Sequence, residues 1–324
     1  MTAKTTSVIR IGISSCLLGR NVRFDGGHKE DRFLTGVLAA HVAWVPVCPE
    51  VEVGMGVPRE SVRLVEDPAD SAGPRMVGTR SGTDHTGAMR AWARRRAKEL
   101  DAQDLCGYVL KKDSPSCGME RVKLYPANGA PASREGVGLF ARALIDHAPL
   151  LPVEEEGRLH DAKLRENWVE RVFAYRRLKD LRAARFSRGA VVAFHTAHKF
   201  QLLAHGTAPY QAMGRLVAKI SDHTPADFLE RYGEAFMQAL RGRATPARHV
   251  NVLQHIAGFF KRELSTDEKR ELEEVIADYR AGLVPLIVPI TLVRHHARAH
   301  GAEYVLEQTY LSPHPKELML RNHV

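Results

Sequence analysis

A chain of 324 residues with 44% hydrophobic and 26% charged side chains has material for two ordinary domains and excludes a fibrous or disordered protein. No apolar run approaches the roughly 18 residues of a membrane helix, and Met1 to Ser7 lack the apolar core of a signal peptide, so a cytoplasmic protein without membrane contact is expected. The net charge of +9 suits polyanionic partners, but it is spread almost evenly along the chain, which predicts a solvated basic surface with weak nucleic-acid binding at most.

The chain begins with Val8-Ile-Arg-Ile-Gly-Ile-Ser-Ser, an apolar, strand-like run that ends on Cys16. Behind it, Leu17 to Lys29 is rich in glycine and charge, includes Asp25, and reads as a long functional loop. Leu34 to His41 predicts a short amphipathic helix. Ala43-Trp-Val-Pro-Val is a second strand, and it ends on Cys48, with Pro49 and Glu50 following. Ser61 to Val65 predicts an extended edge segment, and Pro68 to Gly87 a turn-rich loop or flap. Thr86 to Leu100 predicts a helix bearing the basic cluster Arg94-Arg-Arg-Ala-Lys98. A third apolar run, Tyr108 to Leu110, breaks into Lys111-Lys-Asp-Ser-Pro-Ser and ends on Cys117 and Gly118. Gly136 to His147 predicts a closing helix, and Leu150-Leu-Pro-Val a last short strand. This alternation predicts a three-layer α/β domain with a parallel sheet over residues 1–155. In such a sheet the carboxyl ends of the strands face one crevice, so three thiols far apart in sequence can meet there.

After Glu154-Glu-Glu-Gly the pattern changes, and a domain boundary is expected within about ten residues of Glu155. Residues 156–324 show helical periodicity and predict an all-α domain of about six helices. Arg158 to Ala184 reads as one long amphipathic helix with Leu164, Trp168, Val172, Phe173 and Tyr175 on its apolar side. Thr224-Pro-Ala-Asp opens another with proline at its first position, and Ser265-Thr-Asp-Glu268 is a capping box. Most of the 16 histidines lie in this half. His195 and His198, and His295-His296 with His300, are spaced to share helix faces; a metal site is one reading, but core or surface roles are expected of them, since no glutamate-rich motif accompanies them. Phe259, Phe260 and Tyr232 stand beside basic residues and offer rings for stacking on bases, but core packing explains them equally.

Four cysteines without a secretion signal do not make a disulfide framework. Cys106 opens its strand and reads as a buried structural thiol. For Cys16, Cys48 and Cys117 several readings stand. Structural zinc normally takes four ligands, often as CxxC pairs, and none is present. A nucleophilic cysteine leaves two thiols unexplained. An iron–sulfur cluster held by three thiolates uses all three and leaves one iron without a protein ligand. Spacing alone does not choose among them. Glu50, two residues after Cys48, is a candidate acid or base or else a helix-capping glutamate. Ser114 and Ser116 offer hydroxyls to a substrate or shape the turn, and the Asp25 loop offers a carboxylate and amides to an anionic or heterocyclic ligand.

Four blocks, Ile13-Ser-Ser-Cys-Leu-Leu-Gly, Val22-Arg-Phe-Asp-Gly-Gly-His-Lys, Val47-Cys-Pro-Glu with Gly54-Met-Gly-Val-Pro-Arg, and Lys111-Lys-Asp-Ser-Pro-Ser-Cys-Gly, together resemble the TudS thiouracil desulfidases over residues 7–152. The remainder, with His195-Thr-Ala-His-Lys and Tyr310-Leu-Ser-Pro-His-Pro-Lys-Glu-Leu, resembles the YbgA-like domain and implies no firm activity. The first resemblance implies a [4Fe-4S] cluster on Cys16, Cys48 and Cys117, a thiolated pyrimidine substrate, and catalysis by Glu50 and a serine, for which Ser114 and Ser116 both lie in the matching block and Ser114 is favoured. Ser116 and Asp25 are further candidate substrate contacts by their places in the turn and the loop. It implies carbon–sulfur cleavage without net redox change, releasing uracil and hydrosulfide. Two other readings remain: a nucleic-acid-binding protein with a structural metal site, and a desulfidase acting on thiolated tRNA.

Overall fold

Strand β1 (Arg10–Ser14) is the centre of the first sheet, and its isoleucines Ile11 and Ile13 are fully buried. The protein is seen in a computed structural model that describes residues 8–67, 73–126 and 130–324, so Met1 to Ser7 lie outside it. β1 pairs in parallel with β2 (Ala43–Val47) on one side and β5 (Leu105–Leu110) on the other. β5 pairs in parallel with β8 (Val153–Glu155), which gives the order 2-1-5-8. A strand buried on both faces needs apolar side chains throughout, and all six residues of β5 are buried. Gly12 in β1 is required by close approach, because a side chain there would strike the Tyr108 ring. Helices α2 (Thr86–Asp101) and α3 (Leu139–His147) pack on each other, and Trp92 and Phe140 meet ring to ring, with Phe140 also against Tyr108. The fold is the parallel α/β domain followed by helices that the sequence predicts.

The chain leaves β1 for β2 on one side and returns to β5 on the other. The strand order therefore reverses beside β1, and a crevice opens at the carboxyl edge there.

A second sheet was not anticipated. Its order is 4-3-6-7, formed by β3 (Val62–Val65), β4 (Arg75–Gly78), β6 (Val122–Tyr125) and β7 (Ser133–Gly136). β3 pairs antiparallel with β4 and parallel with β6, so Ser61 to Val65 leads into an interior strand rather than an edge. β4 falls within the stretch read as a loop or flap, of which residues 68–72 lie outside the described ones. These strands have four residues each, too few for a period to show, and β7 has no apolar side chain. It is extended because it pairs with β6, a tertiary cause. The predicted helix at Leu34 to His41 is instead a π turn, Phe33–Val37, followed by a 3-10 turn, Leu38–Ala40.

The chain divides into two compact units, Met1–His160 and Asp161–Val324. In the second, α4 (Ala162–Ala183) starts where Asp161 accepts from Lys163 N and Leu164 N, later than the sequence reading placed it. There follow α5 (Arg188–Ala197), α6 (Lys199–His205), α7 (Thr207–Ala218), α8 (Pro225–Arg241) and α9 (Pro246–Ala257). α10 (Thr266–Ala281), α11 (Ile287–Ala299) and α12 (Glu303–Leu306) complete a bundle that has more helices than expected, because breaks such as Gly206 divide longer helical patterns. The capping box of Ser265 and Glu268 opens α10. Phe200, Leu253, Ile276, Ile290 and Tyr310 lie in its core. None of the described helices is long and apolar enough to cross a membrane.

The histidine and aromatic positions mostly resolve into core packing. His198 is buried, and its Nε2 accepts from Arg177 Nε at 3.1 Å, so its Nδ1 donates to the Phe194 carbonyl. Burial pushes it down to about 3, so it is neutral. His195 instead stacks on Tyr210 and bonds the Tyr232 hydroxyl. Tyr232 and Phe260 are fully buried, and Phe259 stacks on Tyr304.

Candidate active site

The crevice at the carboxyl edge of the parallel sheet is a cavity of about 530 Å³. Cys16, Cys48 and Cys117 all line it, although 101 residues of chain order separate the first from the last only in sequence. Cys16 follows β1 in a 3-10 turn, Ser15–Leu18, closed by Gly19 at φ 79°. Its carbonyl accepts from Lys29 N at 2.9 Å, which folds the glycine-rich loop back over the site. Cys48 follows β2 as the cap of a one-turn helix α1 (Pro49–Glu52), with proline at its first position. Cys117 ends the turn after β5. Cys106, inside β5, is fully buried and does not line the cavity.

That last turn is held from three sides. Lys111 N donates to Ser14 Oγ at 3.0 Å, tying β5 to the end of β1. The run Glu154-Glu-Glu, read in sequence as a boundary, supplies buried carboxylates: Glu155 accepts from Met119 N at 2.7 Å, and Glu156 from Lys112 N at 2.8 Å and from Lys111 Nζ. The first turn of α3 covers the rest, since Phe140 N and Ala141 N both donate to the Ser116 carbonyl. Gly138 permits this approach, because a Cβ there would stand 2.5 Å from that carbonyl oxygen.

Glu50 faces the same cavity. Its neighbour Glu52 does the capping, accepting from Cys48 N at 3.2 Å, so Glu50 is free for other partners. Arg59 forks onto Glu50 Oε2 through Nε at 2.9 Å and Nη2 at 2.5 Å, with side-chain exposures of 5% and 13% for arginine and glutamate. The remaining Nη1 donates to the Val22 and Gly56 carbonyls, so the guanidinium is well satisfied. Ser116 Oγ donates to Glu50 Oε1 at 2.8 Å. A serine has one proton, so the 3.0 Å contact between the two serines runs from the Ser114 hydroxyl to the Ser116 oxygen. The result is a chain from Ser114, partly exposed in the cavity, through fully buried Ser116 to Glu50. Ser114 Oγ also accepts from Ser116 N and Cys117 N and so shapes the turn.

The thiols are held protonated. Burial pushes Cys16 up to about 11, with the Lys111 charge opposing and the Cys48 sulfur adding. Burial raises Cys117 further, against a hydrogen bond from Ser14, and raises Cys48 too. A closed zinc site takes four ligands, whereas the cavity brings together three thiols and, among the described lining residues, no histidine. At the mouth, Arg23, Lys29, Lys112, Lys123 and Arg134 outweigh Asp113, and the site attracts anions. Asp25 is not among the lining residues: its carboxylate is engaged by Gly27 N at 3.0 Å and by Arg23.

Comparison with known proteins agrees with this layout. The family described as "2-thiouracil desulfurase" matches residues 11–156, and "Protein of unknown function (DUF1722)" matches residues 199–315. The uncharacterized protein YbbK of Bacillus subtilis (strain 168) is 33% identical over 113 residues, covering 33% of this chain and 71% of that protein. The chain belongs to the 2-thiouracil desulfurase family. Its second half is similar to the uncharacterized protein YbgA of Escherichia coli (strain K12), 29% identical over 153 residues, which are 47% of this chain and 90% of that protein. A solved structure described as [4Fe-4S]-dependent thiouracil desulfidase TudS is 31% identical and covers 47% of this chain and 94% of its own, with a TM-score of 0.38.

Arg59, Ser14 and Lys111 escaped the sequence reading. Arg59 ends a glycine-bearing loop, and its partner Glu50 is nine residues away with no helical or strand period between them. The one available signal was the pairing of a lone arginine with a family block, and that names no partner.

Proposed function

We propose that the amino-terminal domain is a [4Fe-4S]-dependent desulfidase that converts a thiouracil to uracil and hydrosulfide. Cys16, Cys48 and Cys117 would hold the cluster as thiolates. When bound, it supplies an iron without a protein ligand, a Lewis acid for a thiocarbonyl sulfur. The observation that carries the reading is the meeting of three thiols and the Ser114–Ser116–Glu50 chain in one cavity. Addition of water to the thiolated ring carbon requires that a proton leave the water. Ser114 faces the cavity and passes a proton by way of Ser116 to Glu50, while Arg59 opposes the carboxylate charge and keeps Oε1 aimed at Ser116. Breaking the carbon–sulfur bond then leaves the sulfur as hydrosulfide and the oxygen on the ring. Water plus thiouracil balances uracil plus hydrogen sulfide, and no electron is exchanged.

The test is anaerobic reconstitution with iron and sulfide, then incubation with 2-thiouracil while its thiocarbonyl absorbance is followed. Four irons per chain and loss of that absorbance, both abolished in Cys117→Ala, are expected. Failure to take up iron would sink the reading.

A further inference from the structure

The second domain contains a donor cluster of its own. His296 and His300 on α11 and its C-cap are one helical turn apart, so their rings project from one face. α10 packs against α11 and brings Glu268 to them from a distant part of the sequence. One donor atom from each of the three lies within 4.8 Å of the other two. His296 is 3% exposed, yet its Nε2 is buried without a hydrogen-bond partner. A buried nitrogen without a hydrogen-bond partner is destabilising unless something fills the position.

The carboxylate is also held in readiness. Glu268 Oε2 accepts from Ser265 N at 2.8 Å and Ser265 Oγ at 2.7 Å, and Oε1 is not used by the capping box. A hydrogen-bonded carboxylate is the usual supporting arrangement for a metal ligand.

We propose that Glu268, His296 and His300 bind a zinc-class divalent cation, separately from the three cysteines. Two imidazoles and a carboxylate are a donor set that zinc and cobalt accept, with a fourth position left to water or an anion. Bonds of about 2.0–2.2 Å bring tetrahedral donors to about 3.3 Å apart. His300 is exposed at the C-cap of its helix.

The probe is Co²⁺, titrated anaerobically into the metal-free full chain and compared across variants. Wild type should bind one more Co²⁺ than His300→Ala, and the difference spectrum should show visible ligand-field bands without thiolate charge transfer. His300→Ala should weaken that binding at least about a hundredfold, and His296→Asn likewise, since even supporting residues cost 10- to 100-fold. Glu268→Gln keeps a capping box, because glutamine serves at that position, and should lose about tenfold or more. Equal Co²⁺ stoichiometry and affinity in wild type and His300→Ala would overturn the proposal. So would a difference spectrum dominated by thiolate charge transfer, which would put the ion at the cysteines.

Discussion

Glu50→Gln is the most informative single change, because it preserves shape and removes only charge. The amide can turn its oxygen to Arg59 and its NH₂ to Ser116, whose hydroxyl then accepts, so most hydrogen bonds survive. What is lost is the counter-charge of a guanidinium that is only 5% exposed. Breaking a buried pair from one side costs about 3–5 kcal/mol, the upper bound here because Val22 and Gly56 still accept from Arg59. In catalysis, loss of the proton acceptor should lower the rate 10²- to 10⁴-fold, about 3–5 kcal/mol of barrier. Stability and chemistry thus suffer alike, and a second variant must separate them. In Glu50→Gln/Arg59→Gln neither side is left as a lone buried charge, so at least half of the lost stability should return while activity stays low. The assay is loss of thiocarbonyl absorbance per loaded cluster, with thermal unfolding of the same samples. If Glu50→Gln works within threefold of wild type, the proton role is wrong. If the double variant regains activity along with stability, the pair is only a brace.

The two serines should separate by readout. Ser116→Ala removes a hydrogen bond to a charged acceptor and should cost about 1.5–3 kcal/mol and most of the activity, whereas wild-type rates in a purified Ser116→Ala would rule out the proton chain. Ser114→Ala leaves Glu50 held by Ser116 but frees two turn amides, and should lower both iron loading and rate. Gly138→Ala forces a methyl to 2.5 Å of the Ser116 carbonyl; about 1–3 kcal/mol of strain and reduced iron uptake are expected, measurable by unfolding and an iron assay. Because burial holds the thiols protonated, iron uptake must release protons, and its apparent affinity should climb with pH between about 6 and 9. A pH-independent affinity would contradict the buried thiols. In the metal-free protein the sign is opposite. Cys16 rises from 9.0 to about 11 on folding, so its contribution is whole below pH 9 and is lost as pH passes about 11, which alkaline unfolding curves of wild type and Cys16→Ala would compare.

Much of this protein follows from the order of residues alone. Three apolar runs that each end on a cysteine specify strands and their exits, and parallel pairing then sends Cys16, Cys48 and Cys117 to one edge. Local signals were equally sufficient for the Thr224 and Ser265 caps, because a cap is made within four residues. Tertiary structure decided what depends on distant pairing. β7 has no apolar residue and is a strand only beside β6. In sequence the glutamates of Glu154-Glu-Glu mark only a change of pattern at a domain boundary; the fold is what brings the turn amides of residues 112 and 119 to them. Glu50 and Glu52 have the same chemistry two positions apart; only the fold gives one to a helix cap and the other to Arg59 and Ser116. Likewise His296 and His300 form a set of three only when a separate helix delivers Glu268. Sequence carries periods and short-range bonds, whereas the partner of a buried charge is chosen by packing.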